Sequence, residues 1–380
     1  MAAIPSAKNR EFQVLAKPVG ARCNLRCKYC YYLAHENPGI PLMPEDLLET
    51  YIVQHIDACT APSIQFSWHG GEPTLLGLDG FRKIVSLQKQ HCPQGRRIVN
   101  GIQTNGLLLD EDWCRFFAAE QFIVGLSLDG PAPLHDRYRT TSAGEPTHAH
   151  VMQAYDRLRR HGVTTECLCV VHSSNVHHPL EVYAFFRELE VPYLTFLPLV
   201  EPLAGEGVSD RTVPADAWGE FLCAIFDAWL ERDIGRVKIQ IFEEVARPAF
   251  GLEHTLCIFR KTCGGVPILD CSGDVYSCDH FARPEFLLGN IRETPLARLL
   301  DSSRQQEFGR AKQTTLPRQC LNCAVLDMCN GGCPKDRILS TPDGESGLNY
   351  LCAGYLRFFM HCRPFVSALA HIHGSQTGPA

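Results

Sequence analysis

No run of eighteen or more apolar residues occurs in this 380-residue chain, which excludes a membrane-spanning helix. Excess positive charge is also missing. The formal net charge is −6, which argues against broad nucleic-acid binding, because that needs a basic surface. The stretch from Met1 to Arg10 has no apolar segment of the kind a secretory leader carries. No signal peptide is therefore expected, and the protein is expected in the cytoplasm. There is no repeat of fixed period and no low-complexity stretch, which speaks against a repeat array. A composition of 45% hydrophobic and 21% charged residues is ordinary for a globular protein. The length suits one large domain plus a smaller one.

What the chain does have is nineteen cysteines. Disulfide scaffolds are usually small and secreted, and this chain reads as neither. In a reducing compartment, clustered cysteines point to metal. Three stand in one short loop, Cys23, Cys27 and Cys30, and eight more form a C-terminal set. The others, including Cys271 beside that set, are scattered and read as small buried hydrophobes.

Strand and helix signals alternate from about residue 11 to 233. Candidate strands are 12–17, 64–68, 98–104, 122–129, 165–171 and 193–198. The helical segments between and after them are 44–57, 78–90, 110–119, 148–161, 179–189 and 214–233. Six strand–helix units predict a parallel sheet with outer helices. Six is fewer than the eight of a closed TIM barrel, so an open, partial (β/α)6 barrel of the α/β class is expected. Functional loops then follow the C-terminal ends of the strands. The cysteine loop, His69-Gly70-Gly71-Glu72-Pro73, Gln103-Thr104-Asn105-Gly106 and Ser127-Leu128-Asp129-Gly130 all fall there. Residues 234–250 read as a linking segment with a helix, and the chain turns loop-rich from Cys257. The expected division is residues 1–235 for the barrel and 236–380 for the linker and cysteine-rich domain.

Cys23-x3-Cys27-x2-Cys30 offers three thiolates from one loop, whereas a structural zinc site closes with four. Three thiolates suit a [4Fe–4S] cube with one open iron; a zinc knuckle with a distant fourth ligand is the alternative. With this spacing the chain resembles the radical S-adenosylmethionine (SAM) superfamily. The resemblance implies that SAM occupies the open iron and is split to a 5′-deoxyadenosyl radical, while the protein supplies aim and seclusion. It also implies site roles. Gly70, Gly71 and Glu72 would form the turn that holds the SAM amino group, and Tyr29 would lie near the adenine. Ser127 would face the ribose or carboxylate, Arg139 would pair with the carboxylate, and Leu199 would lie against the adenine. The alternatives are a common turn for the glycines, a packed ring for Tyr29 and a surface arginine for Arg139.

Further on come Cys257, Cys263, Gly273, Cys278, then Cys320-x2-Cys323-x5-Cys329-x3-Cys333, and Cys352. Eight thiolates fit two fully ligated [4Fe–4S] clusters; two closed zinc sites are the physical rival. The pattern resembles the SPASM extension. The resemblance implies one cluster on Cys257, Cys263, Cys278 and Cys333 and another on Cys320, Cys323, Cys329 and Cys352, making three clusters in all. Cys271 would be spare, or a substitute for Cys257.

Nearly the whole chain resembles the anaerobic sulfatase-maturating enzymes. The resemblance rests on Ala16-Lys17-Pro18, Cys30-Tyr31-Tyr32, His69-Gly70-Gly71-Glu72-Pro73-Thr74-Leu75, Gln103-Thr104-Asn105-Gly106, Gly125-Leu126-Ser127-Leu128-Asp129-Gly130-Pro131 and Phe196-Leu197-Pro198-Leu199-Val200-Glu201. His69 departs from the family's frequent glutamine. The implied reaction oxidises a cysteine or serine in a Cys/Ser-x-Pro-x-Arg sulfatase peptide to Cα-formylglycine. A hydrogen leaves the target Cβ, Asp279 takes the thiol or hydroxyl proton, and an auxiliary cluster takes one electron. Tyr32 would line the peptide channel; otherwise it is a core aromatic, and Asp279 a turn residue. Expected partners are the sulfatase polypeptide and a low-potential donor such as flavodoxin or ferredoxin. No nucleic acid or membrane is expected, and the default state is a monomer. Two other readings stay open: a SPASM enzyme that crosslinks ribosomal peptides, and a non-enzymatic iron–sulfur electron carrier. The crosslinking enzymes often carry an extra N-terminal domain, and the residues before Cys23 are too few for one.

Overall fold

A computed structural model describes residues 12–35, 41–205 and 207–376. Met1 to Arg10, read above as lacking a leader, lies outside the described residues. No described helix is long and apolar enough to cross a membrane. In chain order the strands are β1 (Leu15–Ala16), β2 (Ser63–Trp68), β3 (Arg97–Thr104), β4 (Ile123–Ser127), β5 (Thr164–Val171), β6 (Tyr193–Pro198), β7 (Lys238–Ile239), β8 (Ile268–Leu269), β9 (Asp274–Tyr276) and β10 (Leu287–Asn290). The helices are α1 (Glu45–Ala58), α2 (Leu78–His91), α3 (Glu111–Ala119), α4 (Ala132–His135), α5 (His148–Arg160), α6 (Pro179–Glu188), α7 (Ala215–Arg232), α8 (Gln240–Ala246), α9 (Leu296–Leu300), α10 (Ser303–Thr314), α11 (Arg318–Leu321), α12 (Leu326–Cys329) and α13 (Cys352–Gln376). The chain forms two compact units. One holds residues 1–127, 139–165 and 264–309; the other holds 128–138, 166–263 and 310–380.

In the first unit, β1 to β4 pair in parallel, in the order β1-β2-β3-β4. β8 joins the free edge of β1, also in parallel, and β9 and β10 add antiparallel strands beyond it. The expected strand over 12–17 is laddered only at Leu15–Ala16, where it pairs with β2 on one side and β8 on the other. The chain around it is still extended. Gln13, Leu15 and Lys17 donate their N–H groups to Gly265, Pro267 and Leu269. Trp68, Phe81, Trp113 and Phe122 pack edge-to-face in the core, a preferred arrangement for rings of this kind. The Trp68 indole N–H donates to Asn100 at 2.9 Å, and Asn100 and Gln88 exchange amide bonds beside it. The indole and amide groups of these three residues thus partner one another. Helix α3 starts where its periodicity predicts, because the Asp110 carboxylate accepts the Trp113 N–H at 3.0 Å and caps it.

In the second unit, β5, β6 and β7 are parallel. The buried residues Tyr355, Phe358, Phe359 and Cys362 lie on one stripe of α13, which packs on α7. The two helices come close at glycines: a Cβ on Gly219 would stand 2.8 Å from Gly354 Cα. This 25-residue helix is more order than the loop-rich reading from Cys257 allowed. Its i, i+3, i+4, i+7 stripe was present in the sequence but lay behind the cysteines.

Candidate functional site

The cysteine loop follows β1. Cys30 N–H bonds the Cys27 carbonyl at 3.0 Å, which makes a tight turn. Arg26 reaches back with one guanidinium nitrogen to the carbonyls of Cys23 and Leu25, both at 2.9 Å. The Cys23 sulfur accepts the Leu25 N–H at 3.4 Å and the Asn105 amide at 3.8 Å. Burial pushes the Cys23 thiol up to about 12, with Glu72, Cys27 and Cys30 adding to the rise. A metal centre would have to displace that proton, as thiolate ligation always does.

The glycine-rich turn after β2 docks on the backbone that enters this loop. Gly71 N–H donates to Gly20 and Glu72 N–H to Arg22, both at 2.8 Å. Gly70 has φ +130°, and a Cβ there would lie 2.7 Å from the Gly20 carbonyl. A Cβ on Gly71 would run into the Arg22 carbonyl. The glycines therefore meet a structural need of the chain itself. The Glu72 carboxylate is spent inside the protein. It accepts Thr74 N–H (3.1 Å), Thr74 Oγ1 (2.6 Å), Thr104 Oγ1 (2.7 Å) and Asn105 N–H (2.7 Å). Burial raises its pKa and these bonds oppose the rise. Thr104 and Asn105 were missed as site residues, although their loop was singled out; a buried acid between two strand ends was the available signal.

Tyr29 and Arg139 come together. The guanidinium carbon lies 5.5 Å from the ring centroid, and both residues are over nine-tenths buried. Arg139 is therefore no surface arginine. Ser127 is buried at the end of β4. Leu199, in the second unit, is held by backbone bonds to Val171 and Val213.

Asp279 opens a short turn directly after Cys278. It forms an ion pair with the fully buried Lys17 and accepts the Tyr31 hydroxyl. The Lys17 ammonium also sits 3.3 Å from the centroid of the Tyr32 ring, a close cation–π contact. Burial alone would raise the Asp279 pKa, but Lys17, His69 and His280 outweigh it and hold the carboxylate well below its usual range. His69 is fixed by Gln103 at 2.6 Å. Lys17 and Tyr31 were in resembling segments but had no assigned role; a lysine closing an apolar strand was the cue. Tyr32 also borders a pocket of about 100 Å³ shared with Arg22, Asp270, Cys271 and Tyr276. The Cys271 thiol is pushed up to about 12 by burial and by Asp270.

In the second unit, burial and the nearby Cys352, Cys320 and Cys323 push the Cys329 thiol up to about 12. Burial, Cys320 and Cys323 push Cys352 up to about 11. Cys257 likewise bears on Cys263 and Cys333. Cys278 lies in the first unit, where Gln305 ties its neighbour Ser277 to Gly264. Among the described residues, no three His, Cys, Asp or Glu side chains converge as ligands of a single metal ion.

The Radical SAM superfamily profile matches residues 18–186, and the SPASM iron–sulfur cluster-binding domain matches 264–324. A serine-type anaerobic sulfatase-maturating enzyme of Bacteroides thetaiotaomicron is 42% identical over 97% of this chain and 93% of its own. A cysteine-type enzyme of Clostridium perfringens is 31% identical over 92% of this chain and 96% of its own. The solved structure of native anSMEcpe with bound AdoMet and Cp18Cys peptide aligns with a TM-score of 0.86 at 31% identity, covering 95% of this chain and 99% of that one. The chain belongs to the anaerobic sulfatase-maturating enzymes, with a radical SAM partial (β/α)6 barrel and a C-terminal SPASM domain.

Proposed function

We propose that this enzyme oxidises a cysteine or serine of a Cys/Ser-x-Pro-x-Arg sulfatase peptide to Cα-formylglycine, with Asp279 as the base. The observation that carries the assignment is the Lys17–Asp279 pair beside Cys278. Three [4Fe–4S] clusters and SAM, when bound, supply the radical chemistry and the electron acceptor. Cys23, Cys27 and Cys30 hold the SAM-cleaving cluster. Cys257, Cys263, Cys278 and Cys333 hold one auxiliary cluster, and Cys320, Cys323, Cys329 and Cys352 the other.

The chain's own residues do the rest. Lys17 and Tyr31 hold Asp279 ionised and aimed, so that it can accept the target's thiol or hydroxyl proton. Tyr32 shields Lys17 from solvent and borders the pocket where the peptide enters. Tyr29, Arg139, Ser127 and Leu199 line the SAM site. The Gly70-Gly71-Glu72 turn fixes the cysteine loop as well as contacting SAM. Residues 1–235 form the barrel and 236–380 the linker and SPASM domain. A flavodoxin or ferredoxin supplies electrons, and the enzyme works as a cytoplasmic monomer.

The test is anaerobic reconstitution with iron and sulfide, then incubation with SAM, dithionite and matched cysteine and serine peptides. Peptide mass should fall by 18 Da for cysteine and 2 Da for serine, about the masses lost in each conversion. 5′-Deoxyadenosine without either mass change would remove the assignment, and a crosslink at another position would favour the ribosomal-peptide reading.

A further inference from the structure

Two cations lie among the second unit's cysteines, and no carboxylate pairs with either among the described residues. Lys312, on α10, is 1% exposed. Its ammonium donates to the carbonyls of Cys257 and Ile258, both at 2.8 Å. Arg337 donates to the Lys312 carbonyl at 2.7 Å, to Asn330 at 3.2 Å and to Gly331 at 3.1 Å. Its guanidinium thus lies on the segment between Cys329 and Cys333. A Cβ on Gly331 would stand 2.6 Å from Arg337 Nη2, so glycine there lets the cation press against the backbone. Carbonyl dipoles solvate such charges but do not neutralise them. A buried charge is costly unless an opposite charge compensates it.

We propose that Lys312 and Arg337, the first buried and the second half-buried, raise the reduction potential of the auxiliary clusters, acting as their counter-charges. The proposal rests on the reading of these cysteines as cluster ligands. An iron–sulfur cube with four thiolates is an anion that gains a further negative charge on reduction, and fixed cations nearby favour that change. Net charge and hydrogen bonding around a cluster are among the levers that set its potential.

The two cations differ in what they face. Burial lowers the Lys312 pKa, and Cys263, Cys333 and Cys257, all of one proposed ligand set, pull it back up. For Arg337, burial lowers it while Cys320, Cys263, Cys329 and Cys333, from both sets, oppose the fall. Lys312 bonds the backbone of Cys257, from one proposed ligand set, whereas Arg337 bonds Asn330 and Gly331, between Cys329 of one set and Cys333 of the other, so Lys312 acts on one auxiliary cluster and Arg337 on both.

The test is a potentiometric titration, followed by electron paramagnetic resonance, of the full-length, anaerobically loaded enzyme. A Cys23→Ala/Cys27→Ala/Cys30→Ala version separates the auxiliary signals from the first cluster. Lys312→Met should lower the reduced-to-oxidised ratio of one couple about tenfold at fixed potential, a shift of about 59 mV for one electron. Arg337→Gln should lower both couples. Lys312→Arg and Arg337→Lys keep the charge and should stay close to wild type. Thr315→Glu tests the idea without disturbing buried packing. Thr315 is exposed, and its hydroxyl lies 3.5 Å from Arg337 Nη1; an acid there should lower the potential even if the neutral variants lose iron. Unchanged potentials in variants with full iron, or equal shifts in charge-keeping and neutral variants, would overturn the proposal. Absence of iron and sulfide from the wild-type SPASM cysteines would instead defeat the ligand reading beneath it.

Discussion

Lys17 and Asp279 meet as a buried ion pair beneath the Tyr32 ring, one from the end of β1 and the other from the turn after Cys278. The pair joins the start of the barrel to the residue after Cys278, a proposed auxiliary-cluster ligand. Removing either partner strands a charge away from water, which costs far more than losing a surface pair.

Lys17→Met should therefore separate the two halves of turnover. SAM cleavage depends on the cysteine loop and should persist. Formylglycine yield per 5′-deoxyadenosine should fall at least about tenfold, because Asp279 loses the charge that holds it ionised. Product and nucleoside measured in one quench, with coupling as in wild type, would refute the role given to Lys17.

Asp279→Asn keeps the shape and removes the proposed base. Product formation should drop by roughly 10²-fold or more, the range typical of a lost general base, while SAM binding stays near wild type. Peptide mass spectrometry after anaerobic turnover checks this, and near-normal product would assign the proton to another group.

Glu72→Ala removes an acceptor shared by Thr74, Thr104 and Asn105. Buried donors left without partners cost about 1–3 kcal/mol each, so a loss of at least about 3 kcal/mol is expected in denaturant unfolding. Glu72→Gln keeps an acceptor and should lose less; equal losses would show that the bonds are not what matters.

Acid should weaken the first unit through His55. Burial holds its imidazole down to about 3, against about 6.5 in an unfolded chain. The unfolded chain then binds the extra proton between those values. The stabilising effect is complete above about pH 6.5 and is lost as pH falls toward 3. Between pH 6.5 and 5 it amounts to about 2 kcal/mol. His55→Phe should flatten this part of the acid limb in urea titrations at each pH, and parallel curves would point to other groups.

Much of this site was legible beforehand because its chemistry is written locally. Cys23, Cys27 and Cys30 share a single turn, and the alternation of β2, α2, β3 and α3 follows from periodicity and an Asp110 cap. What was hidden depends on distant segments. Lys17 gains meaning only when Asp279 arrives, and Glu72 only when the end of β3 packs over it. Gly70 and Gly71 looked like a ligand cradle, and their tightest contacts are with Gly20 and Arg22. Helix α13 begins on a cysteine of a metal-like pattern, and its apolar stripe starts only behind that residue.

The glycine-to-glycine contact between α7 and α13 lies two residues beyond Cys352. Seating of that helix and presentation of its first thiol are thus a single event. Under the proposed ligand set, the cluster that includes Cys352 closes only after α13 has docked on α7, which makes it a late event of folding.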